Sequence, residues 1–157
     1  MMENTIIDVI KKRKSIRKYT DSSISDSVIQ ELLKCGNSAP SGKNRKPWEF
    51  NVIKDKNVIL KMSKYTVYSR FLSNAHVLIL VYGRFDDSYS KEKDLIGIGC
   101  CVQNILLAAT HMGYGSCVIG ELYDRKIECI EPVGSTQGQL VCGICIGAPK
   151  NEKTKDN

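Results

Sequence analysis

The stretch from Asp94 to Met112 constrains this chain more than any other segment. After Asp94 it carries no charged side chain, and apolar residues occupy nearly every position around a helical wheel. Ala108 and Ala109, with Gly97, Gly99 and Cys100, would let another helix approach closely. A helix that is apolar on all sides belongs at the centre of a fold or in an interface. A chain of 157 residues is too small to cover such a helix all round, so part of it is expected to pack on a second copy, giving a homodimer. The longest apolar run in it, Leu95 to Val102, holds two glycines and is followed by Gln103 and Asn104. That falls short of the ~20 residues that cross a bilayer, so no membrane span is expected.

The flanking segments mix helices with strands. Thr5 to Lys14 sets Ile6, Ile7, Val9 and Ile10 opposite the lysines, an amphipathic helix whose basic last turn suits the helix dipole. Ser25 is an N-cap for a helix through Val28, Ile29, Leu32 and Leu33 that fades near Gly36 and stops before Pro40. Ser38 to Pro47 reads as a loop, Trp48 to Ile53 as a strand, Asn57 to Lys64 as a short helix, and Ala75 to Tyr82 as a strand buried on both faces. Beyond the long helix, Gly113-Tyr114-Gly115 is a stop, Ser116 to Ile119 a short strand, Asp124 to Ile130 a brief helix, and Gln139 to Ile146 a last strand. The expected class is α+β. No repeat or linker divides the chain, so residues 1–150 form one domain and 151–157 a basic tail.

With 42% hydrophobic and 25% charged residues, the composition is that of a globular chain and excludes disordered and fibrous classes. The opening Met1-Met2-Glu3-Asn4-Thr5 lacks the positive charge and apolar core of a secretory signal, which predicts a cytoplasmic location. Seven cysteines are an odd number and most lie in apolar runs, so they read as reduced, small hydrophobes. Cys142 and Cys145 match CxxC, but residues three apart on a strand face opposite sides of a sheet and cannot hold one metal together. With only His76 and His111 as further nitrogen ligands, no metal site is expected.

The net charge of +6 is concentrated in Lys11, Lys12, Arg13, Lys14, Arg17 and Lys18, an anion-attracting cluster. Arg13, Lys14, Ser15 and Arg17 stand where a helix ends and supply charge plus directed hydrogen bonds, the set a phosphate needs. Basic residues at a helix end are also commonly just solvated. Asn37 to Asn44 is rich in small donors and acceptors, and Gly113 to Gly120 brings bare backbone to a surface. Neither is a dinucleotide fingerprint or a phosphate loop of known spacing, and no Ser/His/Asp or Cys/His arrangement stands out. Binding features without an acid or base point to an enzyme whose cofactor carries the chemistry. A nucleic-acid-binding role for the basic segment is disfavoured by an aromatic content of 7% and the lack of a recognised motif.

Four segments in order, Arg13 to Tyr19, Ala39 to Phe50, Gln103 to Ala109 with Gly113 to Gly120, and Ile146 to Pro149, resemble the nitroreductase family of FMN-dependent flavoproteins. The resemblance spans nearly the whole chain. It implies a central, mostly antiparallel sheet flanked by helices, and a homodimer built on the long helix with FMN at the interface. By position, Arg13, Lys14, Ser15 and Arg17 match residues that hold the FMN phosphate and ribityl chain. Pro40, Ser41, Gly42 and Asn44 fall in the loop that reaches the flavin, usually from the partner subunit, and Ile119 and Gly120 match the backbone beside the ring. The expected activity is hydride transfer from NADH or NADPH through flavin N5 to a small-molecule acceptor such as a nitroaromatic or quinone, with no side chain as catalyst. A flavin-binding sensor without turnover is the alternative. Two departures stand out. Where the family carries an acidic residue ahead of the Gln-Asn pair this chain has Gly97, with Asp94 a turn earlier. The family's C-terminal basic segment is represented only by Lys150, Lys153 and Lys155.

Overall fold

The computed structural model describes residues 5–123 and 138–150. Four strands form one antiparallel sheet in the order β1-β2-β4-β3: β1 Trp48–Ile53, β2 Val77–Gly83, β3 Gly115–Ile119 and β4 Gln139–Gly147. Helices α1 Ile6–Lys12, α2 Asp26–Asn37, α3 Lys56–Ser63, α4 Ser69–Leu72 and α5 Lys91–His111 surround it. The α+β class and the antiparallel sheet are as expected. The expected helix over 124–130, Cys129 and the tail over 151–157 lie outside the described residues.

Alternation along β2 sorts the side chains into two cores. Leu78, Leu80 and Tyr82 face α3 and α4 with Ile59, Met62, Phe71 and Leu72. Val77, Ile79 and Val81 face α2 and α5 with Ile29, Leu32, Ile98, Cys101, Ile105 and Ala109. Every β2 residue is buried, which is why this run is continuously apolar rather than alternating. In β4 the register slips between Val81 and Tyr82, whose partners are Cys142 and Leu140, leaving Val141 as an extra residue. Cys142 and Cys145 sit in opposite cores, as the strand period requires.

Helix α1 begins in a capping box, with the Thr5 side chain accepting from Asp8 N while the Asp8 carboxylate accepts from Thr5. Only Val9 of its apolar residues is buried; Ile6, Ile7 and Ile10 remain exposed. Helix α5 buries Asp94, Gly97, Ile98, Cys101, Ile105, Leu106 and Ala109, whereas Leu95 and Ile96 on its other side are exposed. By length and composition alone α5 could cross a membrane, its mean hydropathy reaching 1.2; here it packs on α2 and on the sheet as a core helix. It ends where Gly113 adopts φ 80°, a left-handed conformation that glycine takes without strain. Helix α4 was not expected from the sequence. It is a single turn held down by the burial of Phe71 and Leu72.

Candidate functional site

The chain between α1 and α2 is extended and wedged into the sheet. Ser15 bridges Ser116 in parallel, Ile16 N donates to the Ser116 carbonyl at 2.9 Å, and Tyr19 bridges Pro149. Lys150 N donates to the Lys18 carbonyl at 3.0 Å, so the residues following β4 are tied to the same segment. Tyr19 anchors it from below: its hydroxyl donates to the Ile16 carbonyl at 2.7 Å, and burial pushes its phenol far above the ordinary value. A Cβ on Gly147 would come within 2.5 Å of the Tyr19 ring, so the strand must be bare there. The His76 ring, which meets the Thr20 carbonyl at 2.5 Å, fastens the far end.

This arrangement turns Ser15, Arg17 and Lys18 outward while Ile16 and Tyr19 pack inward. Ser15, Arg17 and Lys18, with part of Ile16, line a cleft of about 760 Å³ together with Lys12, Lys14, Thr110, Gly113, Tyr114, Gly115, Pro149 and Lys150. Five cationic side chains, Lys12, Lys14, Arg17, Lys18 and Lys150, therefore meet at one opening. Such density favours a multiply charged anion, and the size is that of a small-molecule site. The Arg17 guanidinium lies 5.8 Å from the centroid of the Phe71 ring, a cation–π contact that restricts it.

Of the expected site residues, Lys14, Ser15 and Arg17 line this cleft; Arg13, beside them in sequence, does not. Ile119 and Gly120 lie at the far end of β3, roughly 13 Å along the strand from Gly115. A Cβ on Gly120 would meet nothing within 4 Å. Pro40, Ser41, Gly42 and Asn44 lie elsewhere, in a loop with a 3₁₀ turn at Gly42–Asn44 packed against the first turns of α5. Lys43, Asn44 and Lys46 all have positive φ, at 53°, 53° and 48°. The loop is pinned at its ends, Trp48 Nε1 donating to Asn37 Oδ1 at 2.8 Å and Lys46 N donating to Ser41 Oγ at 2.9 Å.

Sequence reasoning missed Lys12, Lys18, Thr110 and Tyr114, among others, as lining residues. Lys12 was counted in the basic cluster, but only the bridge at Ser15 shows which lysines turn to the cleft. Thr110 and Tyr114 bracket the helix stop. No group of three or more His, Cys, Asp or Glu is arranged to hold a metal ion among the described residues. Described cysteines are free thiols. Burial raises the Cys101 and Cys142 thiols to about 12 and Cys145 further, leaving them protonated and unreactive at neutral pH.

The nitroreductase family profile matches residues 10–67 and 60–148. A protein of Archaeoglobus fulgidus named "Putative NADH dehydrogenase/NAD(P)H nitroreductase" is 35% identical over 154 residues, which is 94% of this chain and 87% of that one. The iodotyrosine deiodinase of Thermotoga neapolitana is 27% identical, covering 96% of this chain and 91% of the relative. Among solved structures, that of a nitroreductase from Desulfovibrio desulfuricans, described as putative and in complex with FMN, superposes with a TM-score of 0.89 at 31% identity, covering 96% of this chain and 89% of the other. The cation-lined cleft, the antiparallel sheet with its long helix and these likenesses agree: the chain belongs to the nitroreductase family.

Proposed function

We propose that this protein is an FMN-dependent oxidoreductase using NADH or NADPH as donor and a small molecule, such as a nitroaromatic or a quinone, as acceptor. The observation that carries this reading is the convergence of five cationic side chains and Ser15 on one cleft at the head of β3. The chemistry of that set suits a phosphate dianion on a small organic ligand. Bound FMN would supply the redox chemistry, taking hydride at N5 and passing electrons on.

The chain's own residues bind and shield. Lys14, Ser15 and Arg17 hold the phosphate and the neighbouring chain through charge-assisted hydrogen bonds, and Arg13, outside the cleft, adds positive charge nearby. Strand β3 leads from that cluster to Ile119 and Gly120, where an open backbone leaves room for an aromatic ring. Pro40, Ser41, Gly42 and Asn44 serve the flavin held mainly by the other subunit. A second copy of the chain is needed for that. The exposed apolar side chains Ile6, Ile7 and Ile10 of α1, with Leu95 and Ile96 of α5, supply the surface for it to cover.

The absorbance spectrum of the purified protein and its titration with FMN test the cofactor; steady-state oxidation of NADH and NADPH against nitroaromatics, quinones and iodotyrosine tests the reaction. The expected result is bound flavin and acceptor-dependent consumption of one nicotinamide. Flavin bound without turnover against any acceptor would make the protein a binder or sensor, and failure to bind FMN would remove the reading altogether.

A further inference from the structure

Asp94 is fully buried near the start of α5, and neither carboxylate oxygen has a hydrogen-bond partner among the described residues. Its ion-pair partner is Arg45, whose Nη1 lies 3.6 Å from Oδ2; that Nη1 is itself buried without a hydrogen bond, although the Arg45 side chain as a whole is 24% exposed. A buried charge pair of this kind is costly, and replacing it with apolar side chains of similar volume is often neutral or better for stability. Its presence therefore asks for a reason other than holding the fold.

The start of the helix does not need Asp94 for its own sake. Ser90 caps it by accepting from Lys93 N, and Ser90 Oγ also donates to the exposed Glu92 carboxylate at 2.9 Å, which already supplies negative charge in the first turn. Asp94 points the other way, toward the loop that runs from Pro40 to Pro47. One turn further along the same face stands Gly97, where a Cβ would be 3.4 Å from both the Pro40 carbonyl oxygen and Ser41 Cβ. The loop is thus held to α5 at two successive turns, by a charge at Arg45 and by close approach at Ser41. Between these points the backbone is folded through the left-handed residues Lys43 and Asn44, a conformation that non-glycine residues keep only when their surroundings hold them in it.

We propose that Asp94 is a positioning residue: through Arg45 it fixes the conformation of the 40–46 loop and so places Ser41 and Asn44 for the flavin ring. This inference rests on the FMN reading above. Asp94 touches no ligand; it sets where the loop's donors stand.

The test uses FMN and lumiflavin, which has the ring but neither the ribityl chain nor the phosphate, titrated by fluorescence quenching into the intact protein. Asp94→Asn is expected to weaken both ligands by about tenfold alike, because the loop acts on the ring. The double variant Asp94→Leu/Arg45→Met removes the buried carboxylate and its partly buried partner together. It is expected to keep a cooperative melt near that of the wild type and still bind both flavins about tenfold more weakly. A double variant that melts normally and binds both as tightly as wild type makes the pair a structural accident and overturns the proposal. So does one that no longer melts cooperatively, since the pair would then be a requirement of the fold, and so does a loss confined to FMN, which would place the effect at the phosphate. Wild type binding no flavin at all would instead defeat the functional reading on which this rests, a separate outcome.

Discussion

Arg17 carries the clearest consequence for a single side chain. It shares the cleft with Ser15 and is steadied by the Phe71 ring. Arg17→Ala should remove a charge-assisted hydrogen bond worth about 1.5–3 kcal/mol, weakening FMN by roughly tenfold to a hundredfold while riboflavin, which lacks the phosphate, changes little. Parallel titrations of the two flavins check this; equal losses would show Arg17 to be structural. The buried thiols give a second expectation. Desolvation raises Cys101 and Cys142 to about 12 in the folded chain, against about 8.5 when unfolded. The unfolded state therefore loses protons first, so stability is whole below pH ~8.5 and falls as pH rises toward 12, by up to about 1.4 kcal/mol per unit for each thiol. Thermal melts from pH 7.5 to 10.5 should show the decline, and Cys142→Ala should make it shallower. Ser15 and Arg17 could be placed together from their spacing alone, because an extended segment puts alternate residues on one side. Asp94 could be noticed as an acid near a family position, but its partner Arg45 lies 49 positions earlier in the chain, and no local pattern announces such a pair.

Elements with strong internal signals were legible. Strand β1 has the expected limits, α2 begins at its expected Ser25 cap, and α5 carries the apolar stretch that defined it. What local reading could not supply came from tertiary contact. Helix α4 is one turn whose formation follows burial rather than propensity, and the bulge at Val141 follows from fitting β4 between two neighbours. Gly36, in the last turn of α2, answers to a tertiary contact as well as to helix propensity. A Cβ there would lie 2.9 Å from Ile105 Cγ1 and 3.2 Å from Cys101 Sγ, so α2 and α5 meet at that glycine. Alanine would gain up to about 1 kcal/mol in helix propensity but overpack the contact by about 1–3 kcal/mol. Gly36→Ala should therefore lower the denaturant midpoint modestly, with an unchanged slope; a rise would mean that the two helices separate easily.

For the whole molecule, the exposed isoleucines of α1 and α5 set the expectation. Ile10 is 50% exposed and Ile96 68%, apolar surface that a second copy would remove from water. Ile10→Glu/Ile96→Glu should convert a dimer to a monomer in light scattering and lower FMN affinity with it, since the 40–46 loop would no longer reach its flavin. A dimer that persists would place the interface on another face. The order of strands in the sheet also governs how the molecule comes into being. Strand β4 lies between β2 and β3 although it is the last of the four in sequence, and among the described strands β4 is the one that pairs with β3, whose Ser116 is also bridged by Ser15. On the ribosome, then, the backbone edges of β2 and β3 stay open until residues 139–147 have emerged. The cation cluster is completed later still, because Lys150, whose N donates to the Lys18 carbonyl, follows that last strand in the chain. A phosphorylated ligand that engaged Lys14 and Arg17 together with Lys150 would therefore act as a clasp between the segment that follows α1 and the segment that follows β4.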